Sequence, residues 1–201
     1  MKTILAIAGI LLASFFFANC SKNEPAPTPE SEASAKPPLK MSHEEHVKRG
    51  EYLVTVMGCN DCHSPKIMTD RGPEPDPKRL LSGHPSDEPL PKVTDKNMVA
   101  PGQWALFNGG LTAAVGPWGT SFAANLTPDE TGLGNWTIDN FEKALREGKL
   151  KGMDNGRTLL PPMPWPNYSH LSNDDLAAIW AYLQSIPPVK NVVPAPIPPV
   201  G

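Results

Sequence analysis

Two cysteines and a histidine form the tightest cluster of reactive side chains in the sequence. Cys59 and Cys62 are three positions apart, and His63 follows directly. Each thiol of a C-x-x-C-H motif can add to one vinyl group of haem to give a thioether, and two intervening residues let one helical turn reach both vinyl groups. The histidine is then presented to the iron as an axial ligand. The motif occurs once, so it predicts one covalently attached haem c.

The same residues have two other interpretations. A C-x-x-C pair can form a thioredoxin-like redox site, but that fold needs a βαβ pattern nearby, which this sequence lacks. A zinc site needs a second Cys or His pair at ligand spacing, and the third cysteine is the distant Cys20. The motif therefore favours haem attachment.

The N-terminal residues predict export. Residues 4–18 form an almost unbroken apolar run after a lone Lys2 and stop just before Cys20. This run is too short for a comfortable membrane span, so residues 1–19 are predicted to be a signal peptide. Cys20 stands where a lipoprotein signal peptidase would leave a lipid-modified cysteine, although Asn19 departs from the usual small-residue pattern. The alternative is ordinary secretion, with Cys20 removed or left free.

Residues 20–41 are predicted to be a lipid-anchored, Pro-rich linker that holds a folded domain near a membrane. Five of the twenty residues from 21 to 40 are proline, and almost none is suited to burial. Removing the signal peptide takes away only Lys2, which makes the formal charge of −3 one unit more negative. A mildly acidic chain gives no electrostatic basis for nucleic-acid binding. Residues 42–190 are expected to form one domain, followed by a Pro-rich tail over 191–201.

The elements that must position the motif are mainly helical. The first predicted helix covers residues 43–57, because Ser42 and Glu45 form a capping box and Gly58 can end the helix just before Cys59. A glycine inside a helix costs about 1 kcal/mol relative to alanine. Gly50 therefore suggests that another helix crosses closely at this position.

Two further helices are predicted near the C-terminus. One covers residues 138–147 after an N-cap at Thr137, and the other covers residues 173–185 after an N-cap at Ser172.

A long, loop-rich insertion separates the first helix from these two. Residues 69–95 are charged and are expected to form a surface loop. Apolar runs at 104–107 and 111–115 flank an Asn-Gly-Gly turn, which predicts a small β-hairpin. A third short strand is expected over residues 121–125.

A second ligand on the iron would decide between an electron carrier and an enzyme with an open coordination site. Met163 lies in the run L-L-P-P-M-P-W-P at 159–166, where prolines fix the backbone and remove competing amide donors. A neutral thioether favours reduced iron and raises its potential. Met163 is therefore the predicted sixth ligand. Met57 is too close to Cys59 to reach the opposite haem face, whereas Met98, Met153, a histidine or an open site stay as alternatives.

These motifs together resemble class I cytochromes c, over about residues 43–190. The resemblance rests on the helix before C-x-x-C-H, the Pro-Met-Pro loop and the closing helix over 171–183. It is closest to the modules in cytochrome c subunits of bacterial membrane-associated dehydrogenases, through N-L-T-P-D at 125–129, T-G-L-G-N-W-T at 131–137 and M-P-W-P-N-Y at 163–168. It implies His63 and Met163 as the axial pair, and first and last helices that cross near Gly50 and Tyr182. Those subunits commonly carry several haem modules, whereas this chain has one motif.

The sequence therefore predicts a one-electron carrier in the cell envelope, and not an enzyme. Its expected partners are redox proteins, namely a dehydrogenase, an oxidase or other cytochromes. One alternative is a subunit fixed permanently in such a complex. Another is a haem enzyme or sensor with an open sixth site, for which the sequence supplies no recognisable distal acid–base pair.

Overall fold

The computed structural model describes residues 41–199, so the predicted signal peptide, Cys20 and all but the last residue of the predicted linker lie outside the described residues. This part of the chain contains five α-helices and five short β-strands. The helices are α1 (His43–Val56), α2 (Cys59–His63), α3 (Ile138–Glu147), α4 (Trp165–Tyr168) and α5 (Asn173–Ser185). The strands are β1 (Lys66–Thr69), β2 (Gly72–Pro75), β3 (Leu106–Phe107), β4 (Ala113–Gly116) and β5 (Gly119–Phe122). Within residues 41–199, no helix is both long and apolar enough to cross a membrane.

The three predicted helices are present and begin at the predicted caps. The Ser42 hydroxyl accepts a hydrogen bond from the Glu45 amide at 3.3 Å, and the Glu45 carboxylate accepts one from the Ser42 amide at 2.7 Å. Thr137 and Ser172 likewise accept from backbone amides in the first turns of α3 and α5. These side chains satisfy amide groups that have no partner inside a helix, which fixes where each helix begins.

Helices α1 and α5 cross at Gly50. A Cβ atom added at Gly50 would lie 2.0 Å from the carbonyl oxygen of Ala178 and 2.7 Å from the Cβ of Tyr182. Only a residue without a side chain allows this approach, so the prediction of a close crossing at Gly50 is confirmed. The helices pack around one core, whose buried apolar members are Val54, Leu81, Leu133, Phe141, Leu145, Leu176, Ile179 and Leu183.

The predicted hairpin is present as part of a three-stranded antiparallel sheet in the order β3–β4–β5. Leu106 pairs with Val115, and Gly116 pairs with Gly119 across a two-residue turn. The third strand therefore ends at Phe122, earlier than predicted, because this tight turn places β5 directly after β4. Beyond β5, the Ala123 amide still donates to the carbonyl oxygen of Thr112 at 2.8 Å, whereas Ala124 and Asn125 contact other parts of the molecule.

The prediction of a surface loop over residues 69–95 is wrong in part. Strands β1 and β2 form a second, two-stranded sheet, and residues 81–85 are buried. Leu81 joins the core, and its amide donates to the hydroxyl of Ser64 at 2.8 Å. The contact between Leu81 and Ser64 joins residues far apart in the chain, so no local sequence pattern indicated the burial of Leu81.

The chain beyond α5 lies extended against the domain. Ile197 and Thr120 exchange two backbone hydrogen bonds of 2.8 and 3.0 Å. Gly119 allows this contact, because its φ is 91° and a Cβ there would lie 2.1 Å from the carbonyl oxygen of Ile197. The tail is thus paired with the edge of the three-stranded sheet.

Candidate functional site

One large apolar cavity of about 520 Å³ brings the predicted site residues together. Cys59, Cys62, His63 and Met163 all line it. Its walls come from α1, α3, α5, the three-stranded sheet and the loop before α4. A cavity of this size is in the range that holds a cofactor.

The chain turns sharply between α1 and α2 to bring both cysteines to the cavity. Gly58 adopts the left-handed conformation, with φ 70°, which ends α1 and starts the single turn of α2. Cys59 and Cys62 are both free thiols and half-buried. The ammonium of Lys66 donates to the carbonyl oxygens of Asn60, Asp61 and Ser64 at 3.2, 2.9 and 2.6 Å. These are carbonyl groups that a short helix leaves without partners, so Lys66 stabilises the end of α2.

His63 is held at two points and is only 9 % exposed. Its ring Nδ1 lies 2.7 Å from the carbonyl oxygen of Ala124, and its own carbonyl oxygen accepts from the Gly83 amide at 2.7 Å. A carbonyl oxygen can only accept, so Nδ1 carries the proton and the lone pair is on Nε2. Burial lowers the pKa of His63, against the opposing effect of its hydrogen bond to Ala124. The ring is therefore neutral at pH 7 and has a nitrogen available to ligate a metal.

A layer of asparagines supports both contacts of His63. The Asn125 side chain donates to the carbonyl oxygen of Val189 at 2.8 Å and accepts from the amide of Thr127 at 3.0 Å. Asn191 donates to the carbonyl oxygens of Ser82 and His84 at 2.7 and 2.8 Å. Asn125 thus fixes the segment that follows Ala124, and Asn191 fixes the residues on both sides of Gly83. These roles could not be predicted from the sequence, because nothing local distinguishes Asn191 within the proline-rich tail.

The loop that carries Met163 is attached to two other elements. The Leu159 amide donates to the carbonyl oxygen of Gly148 at 2.7 Å, just after α3. The Ser121 hydroxyl of β5 donates to the carbonyl oxygen of Pro161 at 2.6 Å. The half-buried Met163 side chain packs against the core as well as lining the cavity.

The other candidate ligands lie elsewhere, apart from Met57, which lines the cavity from the end of α1. Met98 is 42 % exposed and Met153 is 50 % exposed, and neither lines the cavity. His84 is buried and binds the hydroxyl of Thr112 through Nδ1 at 2.8 Å. Three further histidines, His43, His46 and His170, and the methionine Met68 also lie outside the cavity lining.

The thiols have the wrong acidity for a thioredoxin-like redox pair. Burial raises the pKa of the Cys59 thiol to about 11 and also raises the pKa of Cys62. Reactive C-x-x-C pairs instead depend on a thiolate with a lowered pKa.

In the part of the chain that the structure describes, no cluster of three or more His, Cys, Asp or Glu side chains could hold a metal ion.

The cavity is large and mostly apolar, and its lining carries side chains that could hold a metal-containing cofactor. Its lining is apolar except at a few points, with the charged side chains of Asp61 and Arg157 at exposed positions. A neutral imidazole and a thioether are axial donors of the kind used in haem c sites, and two thiols at C-x-x-C-H spacing are the groups that attach such a haem covalently. Helices with small antiparallel sheets around such a cavity are compatible with a cytochrome c fold.

Comparison with known proteins confirms the resemblance to cytochrome c subunits of bacterial dehydrogenases. The chain is 36 % identical to the gluconate 2-dehydrogenase cytochrome c subunit of Pantoea cypripedii, over 72 % of the chain and 24 % of that protein. It is 32 % identical to the cytochrome c subunit of the alcohol dehydrogenase (quinone) of Gluconobacter oxydans, over 75 % of the chain and 23 % of that protein. Identity to the fructose dehydrogenase cytochrome subunit of Gluconobacter japonicus is 26 %, over 92 % of the chain and 26 % of that protein.

The chain thus spans about a quarter of the length of these relatives. No family model matches it.

Proposed function

We propose that this protein is a one-electron carrier of the class I cytochrome c fold with a single covalently attached haem c. The observation that carries the proposal is that Cys59, Cys62, His63 and Met163 line one apolar cavity. Cys59 and Cys62 would form the two thioethers, and His63 and Met163 would be the axial ligands. The haem would supply a reversible one-electron change between ferric and ferrous iron.

The residues around the cavity set the conditions for that change. His63 offers Nε2 because Nδ1 is held by the carbonyl of Ala124. Met163 would fill the remaining position with a neutral sulfur, which leaves no open site for substrate and favours reduced iron. The apolar walls exclude water, which disfavours the extra positive charge of the ferric state. With both positions filled, the chain would make or break no bond in a substrate.

The chain would work outside the cytoplasm. In this proposal, residues 1–19 direct export, Cys20 carries the lipid, residues 20–41 link it to the domain over 42–190, and 191–201 form the tail. The linker would let the domain move between redox partners at a membrane surface.

A second candidate function is a haem-binding subunit fixed in a dehydrogenase or oxidase complex. The similarity to cytochrome c subunits of gluconate, alcohol and fructose dehydrogenases favours this possibility. A fixed subunit would co-purify from solubilised membranes with its catalytic partner. A free carrier would run alone as a monomer in mild detergent.

Optical spectra of the purified protein test the proposed ligation. The ferric protein should be low-spin with the weak near-infrared band of a methionine–iron bond, and haem staining should survive denaturing electrophoresis. Met163→Ala should abolish that band and let the ferrous form bind carbon monoxide. The matched control is Met153→Ala, which removes an exposed methionine outside the cavity and should leave both properties unchanged. A high-spin wild-type spectrum, or a Met163→Ala spectrum identical to wild type, would contradict the proposal.

A further inference from the structure

The loop around Met163 has few means of holding its own shape. Pro161, Pro162 and Pro164 have no backbone N–H, so these positions cannot donate hydrogen bonds. The loop is tied to α3 through the Leu159 amide, before the prolines begin. Between that point and α4, the hydrogen bond that the described residues receive from another element is the 2.6 Å bond from the Ser121 hydroxyl to the carbonyl oxygen of Pro161.

The Ser121 hydroxyl is directed at Pro161 by its surroundings. Ser121 is 7 % exposed, so water competes little for its proton. A second carbonyl oxygen, that of Ala114, is 3.4 Å away, which is much farther than the 2.6 Å to Pro161. The indole N–H of Trp118 donates to the same hydroxyl oxygen at 3.2 Å. With its oxygen occupied as an acceptor, the hydroxyl points its single proton at Pro161.

Trp118 is itself seated by the turn between β4 and β5. A Cβ added at Gly116 would lie 2.5 Å from two carbon atoms of the Trp118 ring. The indole therefore lies directly over the backbone of Gly116, where only glycine leaves room. This arrangement forms a continuous chain of contacts from Gly116 through Trp118 and Ser121 to Pro161, two residues before Met163.

We propose that Ser121 is a positioning residue for Met163, and that Trp118 orients its hydroxyl. The three-stranded sheet then acts as a support that holds the methionine loop against the cavity. This inference rests on the proposed ligation of iron by Met163. It gives the β3–β5 insertion a role in keeping the sixth coordination position filled.

Removing the Ser121 hydroxyl should make it easier for Met163 to leave the iron. Pro161 then loses its donor, and the neighbouring prolines cannot replace it. Losing a hydrogen bond of this kind should shift the equilibrium between bound and dissociated Met163 about tenfold toward dissociation. Carbon monoxide binds ferrous iron only when the methionine has left, so Ser121→Ala should raise its rate of binding about tenfold. The midpoint potential should fall, because a loosely held thioether stabilises ferrous iron less.

The experiment compares four variants of the haem-loaded protein with wild type. Ser121→Ala removes the hydroxyl, and Trp118→Phe removes the indole N–H that orients it while keeping an aromatic ring at this position. Ser185→Ala is the matched control, because that hydroxyl also donates to a backbone carbonyl, that of Tyr182, at 2.8 Å. Met163→Ala defines the signal of a protein without the ligand. Each is measured by the near-infrared band, carbon monoxide binding and the midpoint potential, with circular dichroism to verify folding.

Carbon monoxide should bind fastest to Met163→Ala, then to Ser121→Ala and then to Trp118→Phe. Binding should be slowest, and equally slow, for wild type and for Ser185→Ala. Wild-type values for a folded Ser121→Ala protein, while Met163→Ala differs, would overturn the role of Ser121 and leave the ligation intact. Equal spectra for wild type and Met163→Ala would instead overturn the ligation itself. Should Ser121→Ala yield no folded protein, Trp118→Phe carries the test, and wild-type rates for it would overturn the inference.

Discussion

Substituting Gly50 by alanine tests how the two terminal helices hold the cavity. Val54 on α1 and Ile179 and Leu183 on α5 all line the cavity, so its walls depend on how closely these helices approach. The crossing leaves no room for even one methyl group. We therefore expect Gly50→Ala to destabilise the domain, although alanine is the better helix former.

The size of the effect follows from two opposing contributions. The added carbon would lie 2.0 Å from the Ala178 carbonyl oxygen, roughly 1.5 Å inside a normal contact. Overpacking costs about 1–3 kcal/mol and occasionally more, and the upper end applies because a backbone carbonyl cannot swing aside. The greater helix propensity of alanine over glycine offsets about 1 kcal/mol of this cost. The free energy of unfolding should therefore fall by about 2 kcal/mol, which lowers Tm by roughly 4–8 °C for a domain of this size.

Urea denaturation followed by far-UV circular dichroism measures this change. Gly109→Ala is the matched control, because no atom lies within 4 Å of a Cβ added there and its φ is outside the left-handed region. That control should change the free energy of unfolding by less than about 0.5 kcal/mol. Equal stability of the two variants would refute the reasoning, since it would mean that the helices separate at no cost.

Two further predictions concern polar contacts away from the crossing. Asn191→Ala removes the donors to the carbonyl oxygens of Ser82 and His84. It should lower the free energy of unfolding, measured by urea titration, by about 2 kcal/mol. The control Asn97→Ala, at an exposed position, should leave the free energy of unfolding unchanged. The pKa of Asp76 is lowered mainly by the hydrogen bond from the guanidinium of Arg79. The ionised carboxylate therefore stabilises the fold at neutral pH. This contribution is lost as the pH falls below the ordinary value of 3.8 and through the lowered pKa. Wild type should therefore be more stable than Asp76→Asn at pH 7, with a gap that narrows in acid, and a gap independent of pH would contradict this role.

The helices could be predicted from the sequence because their signals are local. Capping residues, apolar spacing and a terminal glycine lie within a few positions of one another, and α1, α3 and α5 begin where those residues indicate. The burial of residues 81–85 could not be predicted in the same way. It depends on contacts with Ser64, Ala123 and Asn191, which lie far away in the chain.

In the candidate site, too, the residues with local sequence signals could be predicted, and the groups that hold them could not. Cys59, Cys62 and His63 stand out because their chemistry is encoded in adjacent positions, and Met163 because prolines surround it. The groups that hold them are backbone carbonyls and amides or single polar side chains of ordinary type. A carbonyl such as that of Ala124 has no signature in a sequence, because every residue carries one.

One short segment connects the two sides of the cavity. Ser121 at the end of β5 donates to the loop of Met163, and three residues later Ala124 accepts from the ring of His63. Asn125 then fixes this segment to the chain beyond α5. Because one piece of backbone touches the supports of both proposed axial ligands, a shift in it would change both iron bonds together. The insertion is therefore the element of the fold best placed to set the potential of the proposed haem.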